Sequence, residues 1–105
     1  NESSAVIRQR VEKVRKIQSL RYENETVRFN GELHGKQIEK YCPMTADGAA
    51  LLGSAFEKMQ FSARSYHRIL KVARTIADME GEEKIGTAHI GEALAYRVFD
   101  GEYRS

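Results

Sequence analysis

The sequence predicts an all-α fold, a compact bundle of four main helices and one short helix. Three observations support this prediction. Apolar residues recur at three- and four-residue spacing in four segments, a capping or breaking residue bounds each segment, and the connections between segments are short. The chain has 105 residues, enough for a single modest core, so residues 1–105 are predicted to form one helical domain.

The composition narrows the class of protein. Charged residues make up 30% and hydrophobic residues 41% of the chain, which is typical of a globular protein. The net charge of +2 is too small to indicate a nucleic-acid partner by itself. The chain has one cysteine and no apolar run long enough to span a membrane. These features predict a cytoplasmic protein with no membrane partner.

The first helix is predicted from Ser4 to about Arg21, with Ser3 or Ser4 as its N-cap. Its expected core-facing residues are Ile7, Val11 and Val14, widened by Val6, Ile17 and Leu20. The basic residues of this helix are Arg8, Arg10, Lys13, Arg15, Lys16 and Arg21, against one acid, Glu12. Such a helix can contact phosphates, or it can be a solvated face or a docking surface for another subunit, and these interpretations stay open.

The segment after the first helix has weaker signals. Residues 22–34 break the helical period, so we predict a loop, with a short hairpin at Asn30-Gly31 as the alternative. A short helix is expected from Gly35 to Tyr41, because the residue before Pro43 is disfavoured in a helix. Cys42 is predicted to be a small buried residue, since no histidine or second cysteine adjoins it.

Two further helices flank the central one. Thr45 is predicted to cap a helix from Ala46 to about Gln60, and Thr87 to cap the last helix, which ends near Phe99. The inner faces are predicted to be Leu52, Ala55, Phe56 and Met59 in the first, and Ile90, Ala93, Leu94 and Val98 in the second. Residues 100–105 are polar and are expected to fray.

The strongest helical pattern lies between Phe61 and Gly81. Ser62 is the expected N-cap and Gly81 the expected left-handed residue at the end. The predicted core-facing residues are Tyr66, Ile69, Leu70, Val72, Ala73, Ile76 and Ala77. The opposite side is predicted to carry Arg64, Arg68, Lys71 and Arg74.

Arg64 has an unusual position in this helix. If Ser62 is the cap, Arg64 lies in the first turn, where the helix dipole disfavours a cation by a few tenths of a kcal/mol up to about 1 kcal/mol. The free N–H groups of a helix N-terminus attract phosphate, so an arginine beside them can complete an anion site. The alternative is an arginine that extends into solvent or pairs with an acid.

Several kinds of chemistry have no support in the sequence. The histidines His34, His67 and His89 are scattered, without a second ligand at helical spacing, so no metal site is predicted. The chain has no phosphate loop of the GxxxxGK[ST] type and no serine–histidine–acid grouping. The chain by itself is therefore not predicted to be an enzyme.

Three segments together resemble a known family. ESSAVIRQRV near the start, FSARSYHRILKVARTIAD in the centre and HIGEALAYR near the end are similar to the C-terminal domain of magnesium-chelatase-like AAA+ ATPases of the ComM/YifB type. The resemblance runs from Glu2 to about Asp100 and is weakest between residues 22 and 35. Ser65 and Met79 depart from the family pattern, where alanine and leucine are expected.

The resemblance implies that the chain is the helical lid of a P-loop ATPase, separate from its nucleotide-binding core. Such lids carry a sensor-2 arginine in an [ST]-x-R pattern, which Ser62-Ala63-Arg64 matches. Arg64 is therefore the expected catalytic residue, and Arg64 and Arg68 are the expected nucleotide contacts. The candidates for contact with DNA or a neighbouring subunit are Arg8, Arg10, Lys13, Lys71 and Arg74.

The resemblance also implies cofactors and partners. The full-length protein is expected to use ATP and Mg²⁺ and to remodel DNA by branch migration during DNA uptake. The expected partners of this domain are its own AAA+ core domain, the neighbouring subunits of a hexameric ring, and DNA through the full protein. No cofactor is expected to bind tightly to this chain alone. The alternative function is a helical module that binds nucleic acid or another protein through its basic faces.

Overall fold

A computed structural model describes the backbone of residues 3–104 and the side chains of residues 3–96. The described backbone forms the helices α1 (Ser4–Arg21), α2 (Lys36–Tyr41), α3 (Ala46–Met59), α4 (Ala63–Met79) and α5 (Thr87–Arg104), and a 3₁₀ turn at Asn30–Glu32. It contains no strand, although an isolated parallel bridge joins Met44 and Ile85. The all-α prediction, with four long helices and one short helix, is confirmed.

The central helix α4 organises the core. It packs against α5, α1, α2 and the 3₁₀ turn, while α3 packs on α5. The buried residues of α4 include Ile69, Leu70, Ala73, Ile76 and Ala77, as the helical period predicts, and Tyr66 and Val72 pack against this core from half-buried positions. Among the described residues, α4 thus contributes more buried apolar side chains than any other helix.

Side-chain caps fix where three of the helices begin. The hydroxyl oxygens of Ser3, Thr45 and Ser62 accept hydrogen bonds from the backbone N–H groups of Val6, Gly48 and Ser65 at 3.2, 3.0 and 3.1 Å. Each bond satisfies an N–H that has no partner within the helix. Past α4, Gly81 adopts a φ of +73°, which glycine tolerates without a Cβ clash. These predicted boundaries are confirmed.

The segment between α1 and α2 is mostly a loop, as predicted, but it contains a 3₁₀ turn where a hairpin was the alternative. Asn30 begins a 3₁₀ turn rather than a hairpin, and Tyr22, Val27, Asn30 and Leu33 are all buried. The segment therefore contributes to the core, and its buried residues are too irregularly spaced for a periodic pattern to reveal them. Cys42 is also buried, as predicted.

Two predicted apolar faces are only partly covered. In α1, Val6, Ile7, Val11 and Leu20 are exposed, whereas Val14 and Ile17 are half-buried. In α3, Leu52 and Ala55 are buried but Phe56 and Met59 are exposed. The prediction that these stripes face the core was wrong for their exposed members, because the bundle covers only part of each stripe.

The last helix begins at Thr87 itself rather than after it, and extends past the predicted end at Phe99 to Arg104. Ile90 and Ala93 are buried and Leu94 is half-buried, as predicted. The side chain of Val98 lies outside the described residues, as do those of the tail predicted to fray. No helix in the described part of the chain is long and apolar enough to span a membrane.

Gly48 and Gly53 lie in the same helix but in different surroundings. A Cβ added at Gly48 would lie 2.7 Å from the Ile85 carbonyl oxygen, whereas one at Gly53 would meet nothing within 4 Å. That carbonyl also accepts a hydrogen bond from the Thr45 N–H, so it has little freedom to move. Close approach of α3 to the turn before α5 therefore requires glycine at position 48 only.

We predict opposite effects of the two Gly→Ala substitutions. Gly48→Ala is expected to lower the free energy of unfolding by about 1–3 kcal/mol through overpacking against the Ile85 carbonyl. Gly53→Ala is expected to raise it by about 0.5–1 kcal/mol, because alanine favours a helix interior. Urea denaturation of both variants checks this, and a stabilising Gly48→Ala would contradict the close packing.

Burial makes the core sensitive to alkaline pH. It raises the pKa of the Cys42 thiol from 9.0 to about 11 and that of the Tyr22 hydroxyl from 10.0 to about 12. Each group therefore stays protonated in the folded protein at a pH where the unfolded chain already ionises. The stabilisation is complete below pH 9 and is lost as the pH rises toward 11 and 12.

We predict that the free energy of unfolding is constant from pH 7 to 8 and falls between pH 9 and 11. The comparison is urea denaturation of the parent chain and of Cys42→Ala at each pH. The variant is expected to lack the fall that begins near pH 9, since only Tyr22 still responds. An equal fall in both proteins would show that the thiol is not protected.

Candidate functional site

Arg64, Arg68 and Lys71 lie along one side of α4 and line a groove of about 790 Å³. Their spacing of four and three residues places them on successive turns of the helix. The other residues that line the groove are Gly31, Ser65, Val72, Thr75, Ile76, Met79 and Tyr96. The groove thus combines a cationic wall with apolar surface from α4 and an aromatic ring from α5, a composition suited to a ligand with anionic and apolar parts.

The N-terminus of α4 opens onto this groove. The Ser62 hydroxyl accepts from the Ser65 N–H, and the Tyr66 N–H donates to the Ser62 carbonyl at 2.9 Å. The N–H groups of Ala63 and Arg64 precede these bonds and add to the positive end of the helix dipole. Arg64 itself is exposed and has no hydrogen-bond or ion-pair partner among the described residues.

Arg68 and Lys71 continue the cationic wall in different ways. Arg68 is exposed, one turn beyond Arg64. Lys71 is half-buried, and its Nζ donates to the carbonyl oxygens of Gly31 and Leu33, both at 3.3 Å. Lys71 therefore joins α4 to the 3₁₀ turn in addition to lining the groove.

Arg74 does not belong to the exposed face predicted for it. Its side chain is only 1% exposed, and its NH1 and NH2 donate to the carbonyl oxygens of Glu83 and Glu82 at 2.7 and 2.6 Å. It also pairs with Asp78 at 3.1 Å. The expectation that Arg74 contacts DNA or another subunit was wrong, because Arg74 is part of the core and holds the turn after α4.

Asp78 is the centre of a buried polar cluster that the sequence analysis missed. Arg21 donates to both of its carboxylate oxygens, at 2.8 and 2.6 Å, and Asn30 Nδ2 donates to one of them at 2.9 Å. Gln18 Nε2 lies 3.4 Å from the same oxygen, and Arg74 completes the set. The bonds to Asp78 raise the pKa of the Arg21 guanidinium above its ordinary value, so Arg21 stays charged.

Asn30 links this cluster to the rest of the irregular segment. Its side-chain oxygen accepts from the Tyr22 hydroxyl at 2.6 Å and from Arg21 at 3.1 Å, and its Nδ2 also donates to Thr75 at 3.0 Å. Its backbone N–H donates to Gln18 Oε1 at 2.9 Å. Asn30 is therefore held by bonds from both α1 and α4, which explains why this segment is ordered as a 3₁₀ turn.

The basic residues of α1 lie away from the groove. Arg8, Arg10 and Lys13 are exposed on α1 and are not among the groove residues. Lys13 Nζ lies 3.5 Å from the position that a Cβ would occupy at Gly81, so it is close to the turn after α4. The structure thus brings Arg64, Arg68 and Lys71 together in one site and separates the α1 cations from them.

Tyr96 is a groove residue that the sequence analysis did not select. It lies on α5 and is 66% exposed, although a tyrosine usually buries its ring. An exposed aromatic beside two arginines can stack on a planar ligand group. Tyr96 lies outside the predicted inward face of α5, and that position alone gave no reason to expect a role.

The buried histidine, His89, joins the end of α4 to the start of α5. His89 is buried, where its Nδ1 accepts from the Gly86 N–H at 2.8 Å and its Nε2 lies 3.0 Å from Glu80 Oε1. These bonds fix the start of α5 against the end of α4. Within the described residues no three His, Cys, Asp or Glu side chains gather as metal ligands.

The fold and the groove can now be compared with known proteins. The sequence matches the family described as magnesium chelatase, subunit ChlI C-terminal, over residues 1–97. The match spans all of α1 to α4 and the beginning of α5. The chain belongs to this family.

Individual relatives define the type more closely. The chain is 46% identical over 97 residues to "Competence protein ComM" of Haemophilus influenzae, which covers 92% of this chain and 18% of that protein. It is 38% and 35% identical, over 99 residues each, to proteins called YifB of Salmonella typhimurium and Escherichia coli, covering 94% of this chain and 19% of each relative. The resemblance to the ComM/YifB type is thus confirmed, and the chain spans less than a fifth of these relatives.

We predict that the same substitution has different effects at two arginines of α4. Arg74→Ala is expected to lower the free energy of unfolding by about 3–5 kcal/mol. The substitution removes the guanidinium that pairs with the buried Asp78 carboxylate and that donates to two backbone carbonyls. Arg64→Ala is the matched control, expected to change it by less than about 0.5 kcal/mol since the side chain is exposed. Urea denaturation measures both, and equal effects would contradict the assigned burial.

Proposed function

We propose that this domain is the helical lid of an AAA+ ATPase and that its groove faces ATP bound to the core domain of the same protein or of a neighbouring subunit. The observation that carries the proposal is the position of Arg64, exposed and without a described partner in the first turn of α4. Family membership supports it, since the family is named for the C-terminal part of a chelatase subunit.

The electrostatics of the α4 N-terminus favour an anion. A cation in the first turn is unfavourable beside the positive end of the helix dipole, and no described acid offsets it there. A phosphate group reverses this balance, because it attracts both the guanidinium and the free N–H groups. The Arg64 guanidinium is therefore electrostatically favourable at the start of α4 only when an anion is bound there.

The groove fits the parts of a nucleotide. Arg64 and Arg68 would contact phosphate oxygens, and Tyr96 would lie beside the base or sugar. Mg²⁺ would be held by residues outside this domain, since the described residues bring no cluster of carboxylates together. Bound ATP supplies the phosphoryl group that is transferred to water.

The contribution of Arg64 to the reaction would be electrostatic. Negative charge spreads over the phosphoryl oxygens in the transition state, and an arginine held at that place stabilises it more than the ground state. Arg64 would act as the sensor-2 arginine and Arg68 as a second contact. Lys71 would position the groove through its bonds to the 3₁₀ turn.

The function of the whole protein is proposed from its relatives. We infer that the whole protein is a cytoplasmic ATPase that forms a hexameric ring and remodels DNA by branch migration. One relative is called a competence protein, which is consistent with a role in DNA uptake. The exposed cations Arg8, Arg10 and Lys13 on α1 are the proposed contacts with DNA or with a neighbouring subunit.

We predict that Arg64→Ala in the full-length protein lowers ATP turnover at least tenfold, and by up to about 10³-fold, without loss of folding. Arg15→Ala is the matched control, because Arg15 is exposed on α1 outside the groove. Steady-state phosphate release and the thermal unfolding midpoint are measured for both variants. Unchanged turnover in a folded Arg64→Ala protein would disprove the proposed role.

A further inference from the structure

One apolar face of α1 is covered at one end and uncovered at the other. Ile7, Val11, Val14 and Gln18 follow one another at spacings of four, three and four residues, so they lie on one face of the helix. Gln18 is buried and Val14 half-buried, whereas Val11 is 46% and Ile7 50% exposed. This face extends for about 17 Å between Ile7 and Gln18. The bundle covers its C-terminal part and leaves its N-terminal part exposed.

The residue types on the uncovered part are not those of a solvated helix end. Ile7 and Val11 on this face, and Val6 beside it, are all β-branched. Valine and isoleucine have lower helix propensities than alanine, lysine or glutamate. At exposed positions these residues lower the stability of the helix, and burial does not compensate for that loss. Their clustering on the first turns of α1 indicates a surface that another protein segment covers.

We propose that these N-terminal turns of α1 dock on the domain that precedes this one in the longer protein. The relatives are about five times as long as this chain, which covers 18% or 19% of them, and the family is described as a C-terminal part. Since α1 is the first helix of this domain, a domain that precedes it on the same polypeptide would be joined next to these turns. The proposal is independent of Arg64 and of what the preceding domain catalyses.

The small size of the surface favours a tethered partner. Three side chains, none more than half exposed, supply only a small part of the roughly 1,200–2,000 Å² that a stable interface between separate proteins buries. A domain on the same polypeptide is present at a high effective concentration, so a small contact is enough to hold it.

Charge argues against a second copy of α1 as the occupant. Arg8 and Arg10 lie on the N-terminal half of the helix and Lys13 directly follows it, with Glu12 as the acid among them. Two copies of this helix would bring like charges together, which opposes association. The surface that fits is an apolar recess flanked by Asp or Glu side chains on the preceding domain.

Thiol labelling of the full-length protein tests the proposal. Val11→Cys places a thiol on the uncovered face, and Lys16→Cys is the matched control because Lys16 is exposed on the opposite face of α1. We expect maleimide to react with Val11→Cys at least tenfold more slowly than with Lys16→Cys, measured by mass spectrometry of the α1 peptide. Equal rates in two folded variants would overturn the proposal.

Two further measurements separate the other occupants. Slow labelling that appears only at high protein concentration would point to a second copy, and slow labelling that requires added DNA would point to nucleic acid; either result would overturn the proposal. Hydrogen exchange of the unmodified full-length protein needs no substitution. We expect the amides of residues 7–11 to exchange as slowly as those of the last turn of α1, and fast exchange would contradict docking.

Discussion

The buried carboxylate of Asp78 is the interaction on which the arrangement of the helices depends. An isolated charge in a protein interior is strongly unfavourable, so Asp78 requires all of its partners to be in place together. Those partners come from α1, from the 3₁₀ turn and from α4 itself, and Arg74 extends the cluster to the turn before α5. Polar contacts thus fix the relative positions of elements that the apolar face of α4 alone would hold less specifically.

Much of the fold could be predicted from the sequence, because its signals are local. Ser62 and Thr45 accept from N–H groups three residues later, and Gly81 has the positive φ that ends α4, so these boundaries follow from residue type. The 3₁₀ turn could not be predicted, since the burial of Asn30 depends on partners 8 to 48 residues away. The exposure of Val11 could not be predicted either, because a helical stripe does not reveal which partner covers it.

The candidate site was predicted in part. The spacing of Arg64, Arg68 and Lys71 placed them on one side of α4, and the groove brings them together as expected. Arg74 was assigned to that side in error, although it stands four residues after Leu70 and three before Ala77, both of which are buried. The charge of an arginine argued for exposure, but an acid four residues later, Asp78, was the signal of a buried pair.

The Asp78 cluster also determines where the domain begins as a stable unit. Most of the surface of α1 is exposed, and such a helix resembles a removable linker. Its last turn, however, contributes Gln18 and Arg21 to a carboxylate more than 50 residues away. A fragment that starts after residue 21 would keep Asp78 buried while removing its bidentate partner, so α1 belongs to the domain even though α1 shares little of the hydrophobic core.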